Sequence, residues 1–284
     1  MRARTVAILL LLPGRGGYLG AYSSWEGWRT LRPIGHIKSV FPQKFGTPRQ
    51  GAVVPDAVAQ LRIDGLPSGA DARQALDGLS NYSHVWLLWA ANLNGKDAVQ
   101  SKVYAPKLRG GRAGLFATRS PYRPNPIGLS LVRLVGIDGD TLRLAGADLV
   151  DGTPVVDVKP YIPAYDAPPP SAGAAAVTTP SWIDPPPLSV RFTPQAEHDL
   201  CLVSGRSGSM LSDAQLRRAL TQTLAADPRP LYRWRRERGV GGAEYDVAID
   251  GLRAHCSFEL EQDGTEVVVV LRVADECSTG LVGE

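Results

Sequence analysis

The residues of this chain best suited to binding chemistry lie in one proline-rich segment, from Phe116 to Gly128. Its three prolines fix their own φ angles and push the preceding residues towards extended conformations, so the segment cannot form a helix or a central strand. Arg119, Arg123 and Asn125 are then held on a rigid loop. Because the forked N–H groups of arginine match carboxylate and phosphate geometry, the loop predicts an anion-binding site. An ordinary proline-rich connection with solvated arginines is the alternative.

The charges of the chain are unevenly distributed. Its net charge is only +3, but residues 98–137 contain no aspartate or glutamate. The basic residues in that stretch are Lys102, Lys107, Arg109, Arg112, Arg119, Arg123 and Arg133. A surface of one sign attracts polyanions such as the phosphate backbone of a nucleic acid. A solvated basic face without a partner is the alternative.

A second basic cluster runs from Arg229 to Arg238 and combines five arginines with Tyr232 and Trp234. Guanidinium groups beside aromatic rings are typical of surfaces that contact phosphates and stack on RNA bases. The residues predicted to contact RNA are Arg123, Arg229, Arg233, Arg235 and Arg236. A solvated hairpin is the alternative for this cluster.

The signatures of common enzyme classes are missing from the sequence. It has no GxSxG, HExxH or Walker motif. The three cysteines, Cys201, Cys256 and Cys277, are widely spaced, so we expect no metal site and reduced thiols in a cytoplasmic protein. The remaining polar residues on loops bind well but rarely act as nucleophiles. We therefore expect a reactive cofactor to supply the chemistry.

The first 33 residues show no clear periodicity, and we expect residues 1–33 to form a poorly ordered extension. Arg2 and Arg4 resemble the start of a secretory signal, but Pro13 interrupts the apolar run that follows them. The glycines at 14–20 have the wrong spacing for a dinucleotide-binding fingerprint, because position 19 is leucine. No other apolar run approaches the roughly 20 residues that span a bilayer. These observations argue against a Rossmann fold and against membrane association.

The elements that must position the proline-rich loop begin at Ile34. Strands are predicted at Ile34–Val40, Ala52–Val58, Ala59–Ile63, His84–Ala91, Leu129–Ile137, Thr141–Leu149 and Pro154–Tyr161, with a short helix at Asp71–Leu79. Asp138-Gly139 predicts a hairpin turn. Strands at short intervals with few helices favour an antiparallel β-barrel over residues 34–167.

A second unit is expected beyond residues 168–187, whose proline, alanine, serine and threonine content predicts a linker. Ser212 can cap a helix over Asp213–Ala226. Strands are predicted at Tyr245–Ile249, Leu252–Leu260 and Thr265–Val273. Residues 188–284 are therefore predicted to form a small α+β domain, and the whole chain is predicted to be mainly β.

Four motifs follow one another in the first unit: Lys44–Gln50, Leu79–Leu88, Phe116–Ser130 and Asp148–Tyr161. Together they resemble the TrmO family of tRNA methyltransferases, over about residues 34–167. Segments after Asp227 are similar to the C-terminal module of longer bacterial members. The resemblance implies a β-barrel enzyme, unlike the Rossmann type, that uses S-adenosylmethionine. It implies methylation of N6 of threonylcarbamoyl-modified adenosine 37, beside the tRNA anticodon, by a homodimer with cofactor near the interface.

The resemblance also assigns cofactor-binding residues, motif by motif. They are Pro48, Arg49, Gln50, Asn92, Leu93, Arg119, Leu129, Ala145, Gly146, Ala147 and Asp148. Arg49 and Arg119 suit the methionine carboxylate of the cofactor, whereas the acceptor Asp148 suits its cationic sulfonium. Related sequences often have histidine where this chain has Asn92, which replaces a protonatable contact with a neutral amide.

No motif identifies a catalytic residue or the group that takes the proton from N6, and Asn125, Asp157 and Tyr161 are the candidates for a catalytic role. Two other functions fit parts of the sequence. One is a non-catalytic module that binds RNA, such as the anticodon loop of tRNA, and has lost cofactor use. The other is an enzyme that uses the same cofactor on a small molecule, against which the two basic clusters argue.

Overall fold

The computed structural model describes residues 31–48, 50–94, 99–105, 108, 111–167, 178–180, 182–183, 187–203 and 205–276. Six strands of the first unit close into an antiparallel barrel. They are β1 Gly35–Ser39, β2 Val58–Ile63, β3 His84–Ala90, β6 Ile127–Asp138, β7 Thr141–Ala145 and β8 Pro154–Pro160. Their order around the barrel is β1-β2-β7-β6-β3-β8. A separate hairpin of β4, Lys102–Tyr104, and β5, Arg112–Gly114, precedes the proline-rich loop.

The barrel is filled by the side chains on one face of the alternating strands. Ile37, Leu61, Leu87, Val132 and Leu142 are each at most 2% exposed. Because successive side chains of a strand point to opposite faces, this set lies inside and their neighbours lie outside. The barrel interior is therefore a packed core, and ligand chemistry must occur at its ends or on its outer face.

Short local elements connect these strands. Asp71 caps the helix α1, Ala72–Ala75, by accepting from the backbone N–H of Arg73 and Gln74. The β6–β7 hairpin turns through Gly139 and Asp140, and Gly139 adopts a φ of +64° that a side chain would strain. A second short helix, α2, Pro163–Asp166, follows β8.

The second unit is a four-stranded sheet with three helices. Its elements are β9 Ser189–Phe192, α3 Pro194–Leu202, α4 Asp213–Ala225, α5 Leu231–Glu237, β10 Ala243–Ile249, β11 Leu252–Leu260 and β12 Glu266–Asp275. The sheet order is β10-β11-β12-β9, and β9 runs parallel to β12. Ser212 precedes α4, and its backbone N–H donates to the side chain of Gln215 at 3.0 Å.

The two units share an apolar core. Phe41, Val54 and Ala57 of the first unit are fully buried in the same cluster as Leu220 of α4 and Val247 of β10. An ion pair reinforces this contact, because Nε of Arg218 lies 2.9 Å from the carboxylate of Asp56. The second unit is thus packed against the barrel and not only tethered to it.

The sequence-based fold class is confirmed: the chain is mainly β, with an antiparallel barrel followed by an α+β sheet. Two strand predictions were wrong. Ala52–Val58 is not one strand, because a 3₁₀ turn occupies Gly51–Val53. Strand β7 ends at Ala145 and not at Leu149, because Gly146 turns the chain with a φ of +72°.

The segment from Arg229 to Arg238 contains a helix, α5, and is therefore not a hairpin. The first 30 residues and most of the linker lie outside the described residues, so the predicted domain limits stay predictions. None of the helices in the described ranges is long and apolar enough to cross a membrane.

Two cysteines lie in the described part of the chain and both are free thiols. Cys201 is exposed, whereas Cys256 is buried in the second sheet. Burial raises the pKa of the Cys256 thiol to about 12, so this side chain stays protonated and unreactive in the folded protein. Cys277 lies outside the described residues.

Candidate functional site

Several of the predicted cofactor segments converge at one end of the barrel. Asp148 follows β7, Gln50 precedes the turn that leads to β2, and Arg119 lies on the loop before β6. The backbones approach closely here, because a Cβ atom on Gly51 would lie 2.0 Å from the carbonyl oxygen of Gly146. Glycine is therefore required at position 51, and the chain ends around Asp148 are held tightly together.

The carboxylate of Asp148 is the principal acceptor of this site. Its Oδ1 accepts a hydrogen bond from Oγ of Ser130 on β6 at 2.6 Å. Oγ of Ser130 in turn accepts from Nε1 of Trp89 on β3 at 3.0 Å. Ser130 is only 4% exposed. Two neighbouring barrel strands thus hold the carboxylate from its inner side.

Burial raises the pKa of Asp148 above its ordinary value, because desolvation disfavours the ionised form. Four groups act in the opposite direction: the Ser130 hydroxyl, the backbone N–H groups of Asp148 and Gly51, and the positive charge of Arg119. A carboxylate that is partly desolvated yet surrounded by donors is suited to accept from a cationic or hydrogen-bond-donating ligand.

Arg119 lies at the exposed side of the site. Its Nη1 donates to Oε1 of Gln50 at 2.5 Å. In the described part of the chain, its other guanidinium N–H groups have no hydrogen-bond partner in the protein. An arginine with free donors on a rigid loop can bind a carboxylate in a bidentate manner.

Arg123 supports the loop that carries Arg119. Its Nη1 donates to the backbone carbonyls of Thr118 at 2.8 Å and Leu115 at 3.4 Å. Its guanidinium carbon also lies 5.4 Å from the centroid of the Phe116 ring. The sequence predicts an RNA contact for Arg123, and the structure shows that part of its hydrogen-bonding capacity is used within the loop.

Other predicted cofactor residues are buried, and their side chains pack within the protein. Ala145 is 3% exposed, Ala147 is 1% exposed, and Pro48 is also buried. The N–H of Gly146 donates to the carbonyl of Ala57 at 2.7 Å. These residues shape the turn that presents Asp148. Arg49 lies outside the described residues.

Three other predicted cofactor residues, Asn92, Leu93 and Leu129, are exposed. Leu93 and Leu129 are 52% and 49% exposed. Leu129 lies opposite Leu88 in the β3–β6 pairing. The backbone N–H of Asn92 donates to the carbonyl of Ala90 at 2.9 Å. The Asn92 side chain therefore lies at the protein surface and not in the buried core.

The three candidate catalytic residues do not join the Asp148 cluster by hydrogen bonds within the described residues. Asn125 is exposed on the proline-rich loop. Asp157 pairs with Lys159 on the same strand at 2.8 Å. The ring of Tyr161 packs edge-on against Trp86, with centroids 5.9 Å apart. The structure thus places Asp157 and Tyr161 beside neighbours on β8 and β3, and their catalytic roles stay predictions.

Arg229 is not available to RNA, so its assignment as an RNA contact is corrected. Its side chain is completely buried. The guanidinium pairs with Asp227 at 2.8 Å and Glu266 at 2.9 Å, and lies 3.7 Å from the Phe258 ring centroid. Two carboxylates and an aromatic ring satisfy this arginine inside the second unit.

The other predicted RNA contacts of the second basic cluster lie on α5 and differ in exposure. Arg233 is partly buried, since it donates to the Glu237 carboxylate at 2.8 Å and to the Glu244 carbonyl at 2.7 Å. Arg235 and Arg236 are exposed. The Arg235 guanidinium lies 4.4 Å from the ring centroid of Tyr104, on the hairpin of the first unit. The contact between Arg235 and Tyr104 therefore joins the second basic cluster to the basic stretch of residues 98–137.

The site also contains Ser130, Trp89 and Gly51, which the sequence patterns did not identify. Ser130 occupies an inward position of an alternating strand, where a hydroxyl needs a buried partner. That pattern was the available signal. Gly51 is identified only by the close approach of Gly146, which no local pattern encodes.

Comparison with known protein families gives two matches that follow one another along the chain. Residues 36–167 match the tRNA-methyltransferase O N-terminal domain. Residues 185–273 match the TrmO C-terminal domain. The first match contains nearly the whole barrel, and the second contains nearly the whole four-stranded sheet.

Individual proteins show the same similarity. A Pseudomonas aeruginosa protein named "Putative S-adenosylmethionine-dependent methyltransferase RcsF" is 38% identical over 81% of this chain and 92% of its own length. An Escherichia coli protein named tRNA (adenine(37)-N6)-methyltransferase is 38% identical over 72% of this chain and 84% of its own length. A crystal structure of TrmO from P. aeruginosa superposes with a TM-score of 0.63 at 34% identity, covering 87% of this chain and 97% of that one.

Proposed function

The chain belongs to the TrmO family of S-adenosylmethionine-dependent tRNA (adenine-N6)-methyltransferases, and from this premise we propose a specific substrate. The proposed reaction transfers a methyl group to N6 of threonylcarbamoyl-modified adenosine 37, next to the anticodon. The E. coli relative, whose name specifies adenine 37, supports the position. We further propose that the adenosine that is methylated carries the threonylcarbamoyl group.

One observation carries this function: opposite charges converge at the barrel end. Arg119 presents guanidinium N–H groups, and Asp148 presents a partly desolvated carboxylate whose pKa responds to the charge of Arg119. S-adenosylmethionine carries a carboxylate, an ammonium and a sulfonium, so a site with one cation and one anion matches it. Arg119 would hold the carboxylate, while Asp148 would accept from the cationic part. When bound, the cofactor supplies an electrophilic methyl group.

The contribution of the chain is mainly positional. Transfer to an aromatic amine requires donor and acceptor atoms in line, and orientation of this kind can account for much of an enzyme's acceleration. The tight turn at Gly51 and Gly146 and the loop braced by Arg123 fix the two charged groups relative to each other. A rigid arrangement of this kind binds and orients the cofactor for methyl transfer.

The proposed partner is the anticodon loop of tRNA, and exposed pairs of basic and aromatic side chains support it. Lys44 lies 5.0 Å from the ring centroid of Tyr122 and donates to its hydroxyl at 3.1 Å. Arg112 and Arg235 lie 4.6 and 4.4 Å from the Tyr104 ring centroid. Guanidinium planes and exposed rings stack on unpaired bases, while the cations attract phosphates.

Nucleoside mass spectrometry of tRNA tests the proposed reaction. We expect cells that lack this protein to lose the N6-methyl group from threonylcarbamoyl adenosine 37. The wild-type gene should restore it, whereas Asp148→Asn should not. Purified protein should methylate tRNA that carries the threonylcarbamoyl group and leave unmodified tRNA unchanged.

Different outcomes separate the parts of this proposal. An unchanged nucleoside profile in the deletion strain would favour a non-catalytic RNA-binding module. Equal methylation of modified and unmodified tRNA would retain the enzyme but reject the finer substrate. A matched variant, Asp138→Asn, changes a carboxylate at the β6–β7 turn that is paired with Arg143, and it should leave the reaction intact.

We also propose that the protein is a homodimer. Because its proposed substrate is tRNA, we propose that it is located in the cytoplasm. The outer face of β6 exposes Ile127, Leu129 and Val135 by 40%, 49% and 46%. A row of exposed apolar side chains on one strand supports a protein interface. Light scattering should give twice the chain mass, and Val135→Glu should shift it towards the monomer.

A further inference from the structure

We infer that Trp89 and Ser130 are positioning residues that orient the Asp148 carboxylate through a hydrogen-bond chain of fixed direction. The inference rests on the proposed function only for the identity of the ligand. Its structural basis is the pair of hydrogen bonds at 3.0 Å and 2.6 Å that connects the three side chains.

The direction of the chain follows from the chemistry of its first member. The indole N–H of Trp89 is a donor and has no acceptor function. Oγ of Ser130 must therefore accept from Trp89, and its single proton is left for Asp148. The hydroxyl cannot rotate to solvent, since Ser130 is 4% exposed. Asp148 Oδ1 is consequently fixed as an acceptor, which favours the ionised carboxylate.

Counting acceptor sites shows what remains for a ligand. An ionised carboxylate offers about four lone-pair positions. The hydrogen bond from the Ser130 hydroxyl occupies one of them. Other positions of the carboxylate are available to a cation or a donor outside the protein, and the Ser130 hydrogen bond fixes the direction in which they point.

The position of the Trp89 indole is itself enforced by the barrel. Trp89 lies opposite Gly128 in the β3–β6 pairing, and a Cβ on Gly128 would lie 2.1 Å from the indole ring. The absence of a side chain at Gly128 lets the ring lie across β6 and reach Ser130, two residues further on the same strand. The pairing of β3 with β8 is also irregular between Leu88 and Trp89. Such irregularities often redirect a side chain next to an active site.

The indole N–H of Trp89 provides a direct readout in the protein without cofactor or RNA. In the wild-type protein, we expect the ¹⁵N–¹H resonance of Trp89 Nε1 to titrate with Asp148, because Ser130 connects them. Arg119 is the charged group whose field reaches this carboxylate within the described residues. Asp148→Asn should abolish the titration and preserve a slowly exchanging indole N–H, because the amide oxygen still accepts from Ser130.

Ser130→Ala tests the middle of the chain. The indole resonance should lose its titration and exchange faster with solvent. Affinity for S-adenosylmethionine, measured by calorimetry, should fall about ten-fold or more, as expected for loss of a hydrogen bond to a charged group. Removing this bond also removes an influence that lowers the pKa of Asp148, so the pH below which affinity declines should move upwards. Ser257→Ala, a buried serine of the second sheet, is the matched control and should change none of these properties.

Two results would overturn the inference. One is an indole resonance in the wild-type protein that does not respond between low pH and neutrality while Asp148 titrates. The other is unchanged cofactor affinity and an unchanged pH midpoint in folded Ser130→Ala. Neither measurement depends on tRNA methylation, so failure here is distinguishable from failure of the proposed function.

Discussion

The proline-rich loop of the barrel and the basic segment of the second unit are both rich in arginine but use their arginines differently. In the loop, Arg119 reaches a neutral amide and keeps N–H groups for a ligand. In the basic segment, Arg229 is buried between two carboxylates, and its side chain has no exposed surface. The positive charge of Arg119 is therefore available to a ligand, whereas two carboxylates neutralise the charge of Arg229 inside the protein.

The supply of nearby carboxylates accounts for this difference. Residues 98–137 contain no acidic side chain, so the loop arginines find backbone carbonyls and an amide. The basic segment meets Asp227 and Glu237 within a few residues and Glu266 across the sheet. An arginine cluster is therefore better judged by the acids within reach than by its arginine count.

The largest expected effect comes from removing the buried charge. Arg229→Ala leaves two carboxylates facing each other without a cation, and breaking a buried pair in this way costs about 3–5 kcal/mol. We expect a corresponding loss in the free energy of unfolding of the second sheet. Amide hydrogen exchange of β11 and β12 measures it locally.

Arg217→Ala is the matched control for that experiment. Arg217 is also paired, with Glu197, but its side chain is 51% exposed. Exposed ion pairs contribute about 0–1 kcal/mol, so exchange in β11 and β12 should hardly change. Equal effects of the two substitutions would contradict the distinction between buried and available arginines.

The fold was largely predictable because its signals are local. The continuous apolar run of β3, the alternation along β6 and the Asp138-Gly139 turn give strand positions and antiparallel order. The prediction failed where a backbone contact distant in sequence decides the conformation. The backbone of Gly51 lies close to that of Gly146, and no local sequence pattern at either residue predicts this contact.

The site was less predictable than the fold for the same reason. Arg119, Gln50 and Asp148 came from a family resemblance, and the structure shows how they meet. Ser130 could have been identified as an inward hydroxyl, but its connection to Trp89 depends on the register of β3 against β6. The burial of Arg229 depends on Glu266, 37 residues further along the chain. Single-sequence patterns do not report such pairings.

The next effect in size concerns the available arginine of the loop. Arg119→Ala should weaken S-adenosylmethionine binding by about 10- to 100-fold, the range expected for a lost charged hydrogen bond. Arg119→Lys should recover only part of it, because an ammonium does not reproduce bidentate geometry. Titration calorimetry measures the affinity.

The substitutions of Arg119 and Arg229 should differ in their effects on the free energy of unfolding. Because Arg119 is exposed, its removal should change the free energy of unfolding by no more than about 0.5 kcal/mol. Arg62→Ala, an exposed barrel arginine paired with Asp140, serves as the control and should retain full cofactor affinity. Unchanged affinity in Arg119→Ala would remove the loop from the cofactor site.

The smallest expected effect concerns the exposed arginines of the basic segment, which can be compared with the buried Arg229. Arg235 and Arg236 are exposed on α5, unlike Arg229 in the same segment. The double substitution Arg235→Ala/Arg236→Ala should weaken tRNA binding several-fold. It should also reduce the slope of log affinity against log salt by about 0.7 for each phosphate that the protein no longer neutralises. Fluorescence anisotropy at several salt concentrations gives both quantities.

A second double substitution separates local phosphate binding from a general decrease in positive charge. Arg191→Ala/Arg217→Ala removes the same charge from exposed arginines of the second unit that are paired with Glu261 and Glu197. Local binding through α5 predicts that this control keeps the wild-type salt slope, because Arg191 and Arg217 lie outside α5. Equal slopes in both double variants would show that tRNA responds to net charge alone. The exposed and buried arginines of the basic segment would then differ in stability but not in RNA recognition.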